Sequence, residues 1–426
     1  MPLLAMSAAC SVLTYAAQFE YNAVISLEAL PMKLRTLNVA VSYLQYLKKT
    51  LWPVDLAIFY PLLLLDLWKA LASAFVVVAI SGLVIWQAFR KPFLPVGWFW
   101  FIGTLVPVIG LVQVGSQSMA DRYTYLPSIG LFIVIVWGWN AVLGGIDKRR
   151  RVSILCTLIV LPCLGLLTWK QTGYWHDTQS LFEHAASVNN NSHMVHSVLG
   201  GALLEKGELD QAIEECRQAL KINPSSADAH NTIGSILARR KQYEEATSRF
   251  DEALRINPKH LIAHLEKGSA LAQMGKIEEA DLEFTIVAEL MERDGSVYLN
   301  SGICNIVGIA FANIGKNDKA IAQLYRAIDL APQSAVTHNN IGKVLTSIGN
   351  TDEAISALEQ AIKLKPCYAE AFNNLGLVYM QVGNYDDAIV NFAVAFNCKP
   401  DYTNAVKNFQ AGLKALCGQE QGETKK

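Results

Sequence analysis

The sequence contains no Cys-x-x-Cys pair, no glycine-rich phosphate loop and no basic patch interleaved with aromatics. These absences remove the usual zinc and dithiol signatures, nucleotide binding through a phosphate loop, and nucleic acid as a partner. No metal ligand set is expected. Charge is also scarce: 17% of the 426 residues are charged, against 52% hydrophobic. That balance is too apolar for an ordinary soluble protein and too charged for a chain that is a membrane bundle throughout. The first apolar run, residues 2–19, lacks the basic flank of a signal peptide, so it reads as a first or internal span. The eight cysteines show no regular pairing. Cys10, Cys156 and Cys163 sit in apolar runs, and Cys216 and Cys304 at repeated packing positions. All read as small core residues rather than metal ligands or disulfide partners.

The two halves differ. Residues 1–170 carry 13 Lys and Arg against 6 Asp and Glu, and the remainder carries 23 against 31. A formal charge of −1 therefore hides a basic apolar half and an acidic polar half. In the first half, residues 71–89, 93–114, 126–144 and 152–169 are apolar runs of spanning length. Pro107 and Gly110 are expected to kink the second of these. Residues 55–68 are interrupted by Tyr60-Pro61, so no straight span is expected there. In residues 35–51, Arg35, Asn38, Ser42, Tyr46 and Lys49 recur at three- and four-residue steps on one helical face. That stripe either lines a cavity or lies solvated at the headgroup level. Arg90-Lys91 and the cluster Lys148, Arg149, Arg150 and Arg151 are expected in the cytoplasm. Alternation then places the 115–125 loop, and everything after Trp169, on the far side.

Between two of these runs lies a polar island, residues 115–130. Charge beside a membrane segment is costly unless paired, wet or used. Asp121 and Arg122 are adjacent there, flanked by Tyr123 and Tyr125. Pairing with Arg122 is the expected role of Asp121.

The second half repeats. Pro224 and Pro258 are about 34 residues apart, and Pro332, Pro366 and Pro400 keep the same step. Gly200, Gly234, Gly268, Gly308, Gly342 and Gly376 recur where two helices must approach closely. Ala212, Ala246, Ala280, Ala320, Ala354 and Ala388 recur in a second helix. Phe250, Phe284 and Phe392 share a position with Cys216, Leu324 and Leu358. This resembles the tetratricopeptide repeat, in six copies over about residues 193–400. A helix pair cannot bury its apolar face alone, so neighbours must stack. The third copy lacks the closing proline and carries about six extra residues, a surface-loop insertion. Residues 175–190 read as a lone second helix capping the array, and residues 405–416 as the terminal cap. Residues 417–426 read as a disordered tail.

Asn231, Asn305, Asn339, Asn340, Asn373 and Asn374 recur on the first helices and are expected on the concave side. They form either an amide ladder that holds an extended peptide or a filler that bonds repeat to repeat. His196, His230, His264 and His338 share one position, where a packing role is expected. Asn190-Asn191-Ser192 is a glycosylation sequon in form.

Taken together, Ala120-Asp121-Arg122-Tyr123-Thr124-Tyr125-Leu126-Pro127 followed by tetratricopeptide repeats resembles one known family. It is similar to the transmembrane and tetratricopeptide-repeat protein O-mannosyltransferases of animals and their bacterial relatives. Arg35 with Asn38, Trp52-Pro53, Tyr60-Pro61 and Val96-Gly97-Trp98 extend the likeness. The resemblance implies an all-α protein, with a multispanning transmembrane helical domain followed by a tetratricopeptide-repeat superhelix. It also implies transfer of sugar from a polyprenyl-phosphate donor to a protein hydroxyl outside the cytoplasm. The repeats would bind the acceptor or another protein partner, and the membrane half would contact lipid; no further cofactor is implied.

Such transfer needs a cation for the lipid phosphate and a carboxylate for the acceptor hydroxyl. Arg122, then Arg35, with Tyr123, Tyr125 and Asn38, are the expected phosphate-binding residues. Asp121 is the nearby catalytic candidate. The family's acidic residue lies in a first extracytoplasmic loop after an earlier span, and no such loop is present here. Two readings follow: an N-terminally truncated or degenerate glycosyltransferase, or a non-catalytic membrane-anchored scaffold. The expected organisation is a membrane domain at 1–170, a linker and capping helix at 171–192, and the repeat array with its cap at 193–416. The repeats are expected on the periplasmic or lumenal side.

Overall fold

The computed structural model describes residues 31–61, 66–110, 117–142, 146–293 and 300–423. The expected span at 2–19, Gly115, and most of the insertion after the third repeat lie outside these residues. The chain divides into two compact units, residues 1–232 and 233–426.

The first unit begins with α1 (Met32–Leu51), followed by β1 (Tyr60–Pro61), α2 (Leu67–Trp86) and α3 (Phe93–Leu105). β2 (Gln117–Met119), a 3-10 turn (Asp121–Thr124), α4 (Tyr125–Val142) and α5 (Ile146–Gly173) come next. The polar stripe of α1 is not solvated: Arg35, Asn38, Ser42 and Tyr46 are all buried. Tyr46 shares a core with Trp98, Phe101, Leu105 and Ile109. Full burial of a large apolar side chain contributes about 2 kcal/mol. α3 stops at Leu105, and Gly110 takes a φ of +97°, so the apolar run breaks at the kink expected from Pro107 and Gly110. α3 and α4 pack through glycines, since a Cβ on Gly97 would collide with the carbonyl of Gly130. Small residues at such seams are typical of helix pairs in membranes.

Two described helices, α2 and residues 151–173 of α5, are long and apolar enough to cross a membrane. Their apolar side chains are largely exposed; Trp68, Phe75, Trp86, Leu158 and Trp169 are examples. The regular structure of the described residues is helical apart from one short ribbon, in which β1 pairs antiparallel with β2, Tyr60 against Met119.

The first unit continues through α6 (Thr178–Val188), α7 (His193–Lys206), α8 (Leu209–Ile222) and the start of α9 (Ala227–Arg239). α6 is the lone helix expected before the repeats, with Ala185 fully buried. The second unit holds α10 (Tyr243–Ile256), α11 (Leu261–Gln273), α12 (Ile277–Arg293), α13 (Ser301–Asn313) and α14 (Asn317–Leu330). α15 (Ala335–Ile348), α16 (Thr351–Leu364), α17 (Ala369–Gln381), α18 (Tyr385–Cys398) and α19 (Thr403–Glu423) complete it. The six helix pairs α7/α8 to α17/α18 follow the repeat marks. Each second helix buries a stripe at i, i+4 and i+7: Ala320, Leu324 and Ala327 in α14, and Ala388, Phe392 and Ala395 in α18. Each marked glycine faces that stripe. A Cβ on Gly376 would lie 2.6 Å from the ring of Phe392. α19 runs to Glu423, so residues 417–423, expected as tail, continue the capping helix.

Cysteine use departs from expectation: Cys163 and Cys417 are exposed, and one pair is bonded. Cys216 and Cys304 are buried as small core residues. Cys367 and Cys398 instead form a disulfide, with Cα atoms 5.4 Å apart. One follows the linker proline Pro366 and the other ends α18. Counting cysteines cannot show that these two sites meet across a helix pair.

Candidate functional site

Asp121 and Arg122 open the 3-10 turn before α4, so two adjacent side chains leave the backbone in different directions. Asp121 does not pair with Arg122, contrary to expectation. Its Oδ2 accepts a hydrogen bond from Tyr60 Oη at 2.7 Å, and its Oδ1 has no partner. β1 holds Tyr60 in place, and its Oη also accepts the N–H of Ala57 at 2.8 Å. Burial raises the Asp121 carboxyl above its ordinary pKa, against the lowering effects of the Tyr60 bond and Lys49. The Tyr60 hydroxyl is pushed well up by burial and by Asp121.

Lys49, on the last turn of α1, lies 4.7 Å from the Tyr60 ring centroid and donates to the carbonyl of Asp55 at 2.7 Å. Asp55 itself has a φ of +56°, a left-handed conformation stored beside the site. The Arg122 guanidinium lies 5.1 Å from the ring centroid of Tyr123.

Lys49, Asp121 and Arg122 line one cavity of about 530 Å³, with Tyr125, Gln171 and Trp175 among its other walls. A carboxyl group, two cations and several hydroxyls thus line one cavity. The predicted phosphate-binding set does not all converge there. Tyr123 supports Arg122 from beneath. Asn38 donates to the carbonyl of Ser118 at 3.3 Å and lines a separate cavity of about 70 Å³. Arg35 is buried in α1 and lines neither cavity. Sequence reading missed Tyr60 as a partner, Lys49 as a wall of the site, and Gln171 and Trp175 altogether. The dipeptide Tyr60-Pro61 was the visible signal, but it read only as an interruption.

Within the first unit, α6 and the residue after it pack on the same loop. His184 Nε2 lies 3.0 Å from the carbonyl of Leu56, which also accepts from Gln171 Nε2 at 3.1 Å. Asn189 Nδ2 donates to the carbonyl of Phe59 at 3.3 Å.

In the second unit the asparagines form three separate pairs. Asn340 donates to Asn305 Oδ1 at 2.9 Å, Asn374 to Asn339 at 2.9 Å, and Asn408 to Asn373 at 2.8 Å. Asn339 and Asn373 are buried, whereas Asn340 and Asn374 remain partly exposed. Asn231, in the first unit, is buried. The six therefore split into residues that join neighbouring repeats and residues that also reach the surface. Beside Asn374 lies a cavity of about 370 Å³ with Lys343, Thr346, Ser347, Leu377 and Gln381.

The shared histidines hold linkers. Nε2 of His230, His264 and His338 lies 3.1–3.2 Å from the carbonyls of Pro224, Pro258 and Pro332. His264 Nδ1 also meets Glu283 at 2.5 Å, and Lys267 meets Glu283 at 2.6 Å. Burial alone would raise the Glu283 carboxyl, but the bonds from His264 and Lys267 outweigh it and hold it below its ordinary value. Glu266, bonded by the Ser235 hydroxyl, is instead raised by burial.

A family model described as a TPR repeat matches residues 200–239 and 342–383, and one described as a tetratricopeptide repeat matches 227–260. Among curated proteins, Protein O-mannosyl-transferase Tmtc2 of Drosophila melanogaster is 25% identical over 116 residues. That stretch is 27% of this chain and 12% of the fly protein. Protein O-mannosyl-transferase TMTC4 of Homo sapiens is 26% identical over 155 residues, 34% of this chain and 20% of the human one. The chain is a tetratricopeptide-repeat protein related to the protein O-mannosyl-transferases. Its matches span only a small part of those relatives' length. Among solved structures, this repeat protein is similar to YrrB, a TPR protein with an unusual peptide-binding site. The TM-score is 0.35 at 22% identity, covering 46% of this chain and 97% of YrrB. It is similar also to pilF of Pseudomonas aeruginosa, with a TM-score of 0.42 at 18% identity, covering 52% and 98%.

Proposed function

We propose that the chain is embedded in a membrane by several helices and takes part in transfer of a sugar from a polyprenyl phosphate to a protein hydroxyl. The convergence of Asp121, Arg122 and Lys49 on one cavity beside the spanning helices carries this reading. Arg122 and Lys49 supply positive charge for the donor phosphate. Asp121, oriented by Tyr60, accepts the proton of the attacking serine or threonine hydroxyl. The hydroxyl oxygen forms the new bond to the anomeric carbon. The bond from that carbon to the phosphate oxygen breaks, and the phosphate leaves with the electron pair.

The repeats bind the acceptor or a partner polypeptide, with the partly exposed amides of Asn340 and Asn374 available to its backbone. They lie outside the cytoplasm. The Cys367–Cys398 disulfide supports that side, because such bonds persist in oxidising compartments.

The test is transfer in proteoliposomes, with polyprenyl-phosphate mannose and pooled serine- and threonine-bearing peptides. The reading expects transfer that Arg122→Ala and Asp121→Asn abolish. Transfer undiminished in both variants would overturn it. Peptide binding without any lipid binding would instead leave a membrane-tethered scaffold.

A further inference from the structure

The phosphate and the base leave one wall of the cavity unused. Trp175 lines that wall and is 58% exposed, with Gln171 a turn earlier at the end of α5. The backbone on both sides of Trp175 is fixed. Its own N–H donates to the carbonyl of Thr172 at 3.1 Å. Tyr174 stacks on His184, with ring centroids 3.7 Å apart and planes within 3°. Asp177 caps α6 by accepting the Ser180 N–H at 2.7 Å, and Lys206 holds the other oxygen of Asp177 at 3.1 Å. Gln171 is oriented by its bond to the Leu56 carbonyl.

An exposed tryptophan beside a membrane often serves as an anchor at the headgroup level. Trp68, Trp86 and Trp169 are more exposed, at 74–82%, and line none of this cavity. Trp175 differs by lining a cavity whose largely apolar wall also carries an amide, a carboxylate and the hydroxyls of Thr124 and Ser128. That mixture suits a sugar ring. The apolar face of its C–H bonds stacks on an aromatic, and its hydroxyls need donors and acceptors at the rim.

We infer that Trp175 is the platform on which the sugar ring of the donor stacks, with Gln171 bonding a ring hydroxyl. This rests on the cavity being the donor site, and it assigns recognition of the sugar to residues separate from those that hold the phosphate.

The experiment compares binding of polyprenyl-phosphate mannose and of bare polyprenyl phosphate to the full chain in lipid nanodiscs. Trp175→Ala is expected to weaken binding of the mannose lipid about tenfold, with the bare lipid unchanged. Trp175→Phe, which keeps an aromatic face, should retain most of the preference. Arg122→Ala should weaken both lipids alike. Unchanged affinities in Trp175→Ala, or an equal loss for both lipids, would overturn the platform while leaving the donor site intact. If the wild-type chain binds neither lipid, the donor site falls and the platform with it.

Discussion

Tyr60 Oη sits 2.7 Å from Asp121 Oδ2, across 61 positions of sequence. The bond orients a half-buried carboxylate and opposes the upward push that burial gives its pKa. Tyr60→Phe removes a hydrogen bond to a charged group, worth about 1.5–3 kcal/mol. Transfer should fall by about tenfold or more. The acid limb of the pH–rate profile should also move to higher pH, because a base whose pKa rises is protonated over a wider range. Profiles of the wild type and variant check both effects.

In the repeats, the close approach of Gly376 to Phe392 makes a sharp packing test. Gly376→Ala forces a methyl into the ring and should cost about 1–3 kcal/mol in urea unfolding. Lys241 offers the opposite sign. It holds a φ of +62° at the turn position where Gly207, Gly275 and Gly349 stand in other repeats. Lys241→Gly should raise stability by up to about 1 kcal/mol, by relieving a left-handed lysine.

The asparagine pairs separate stability from binding. Asn373→Ala removes the acceptor of Asn408 and should destabilise by about 1 kcal/mol. Asn374→Ala, nearer the surface, should weaken peptide binding more than it lowers the unfolding midpoint. Calorimetric titration beside denaturant melts distinguishes the two. Equal binding by both variants would make the amides connectors between repeats and nothing more.

Cys367 and Cys398 close a loop with a sequence separation of 31. Reduction should cost about 2–4 kcal/mol, seen as a lower melting temperature in dithiothreitol. The double variant Cys367→Ala, Cys398→Ala should melt low in either condition and lose its response to the reductant.

The repeat region was largely legible because its information is local and recurs. A glycine, an alanine and a proline in fixed register report one packing geometry six times. The site was only half legible. Periodicity marked the stripe from Arg35 to Lys49 but could not say what covers it, and most of it proved to be buried. Adjacency suggested that Asp121 pairs with Arg122, yet neighbours in a tight turn diverge, and the true partner comes from a distant strand. Gln171 and Trp175 carry no motif. Their role appears only when the end of α5 is placed against the loop that contains Leu56.

The most direct measurement is photo-crosslinking of the full chain in membranes with a polyprenyl-phosphate analogue bearing a diazirine beside the phosphate, followed by peptide mapping. Label concentrated on the segments that hold Lys49, Arg122 and Trp175, and competed away by polyprenyl-phosphate mannose, is the expected result. Label confined to the exposed apolar faces of α2 and α5, and indifferent to competitor, would contradict a donor site in this protein.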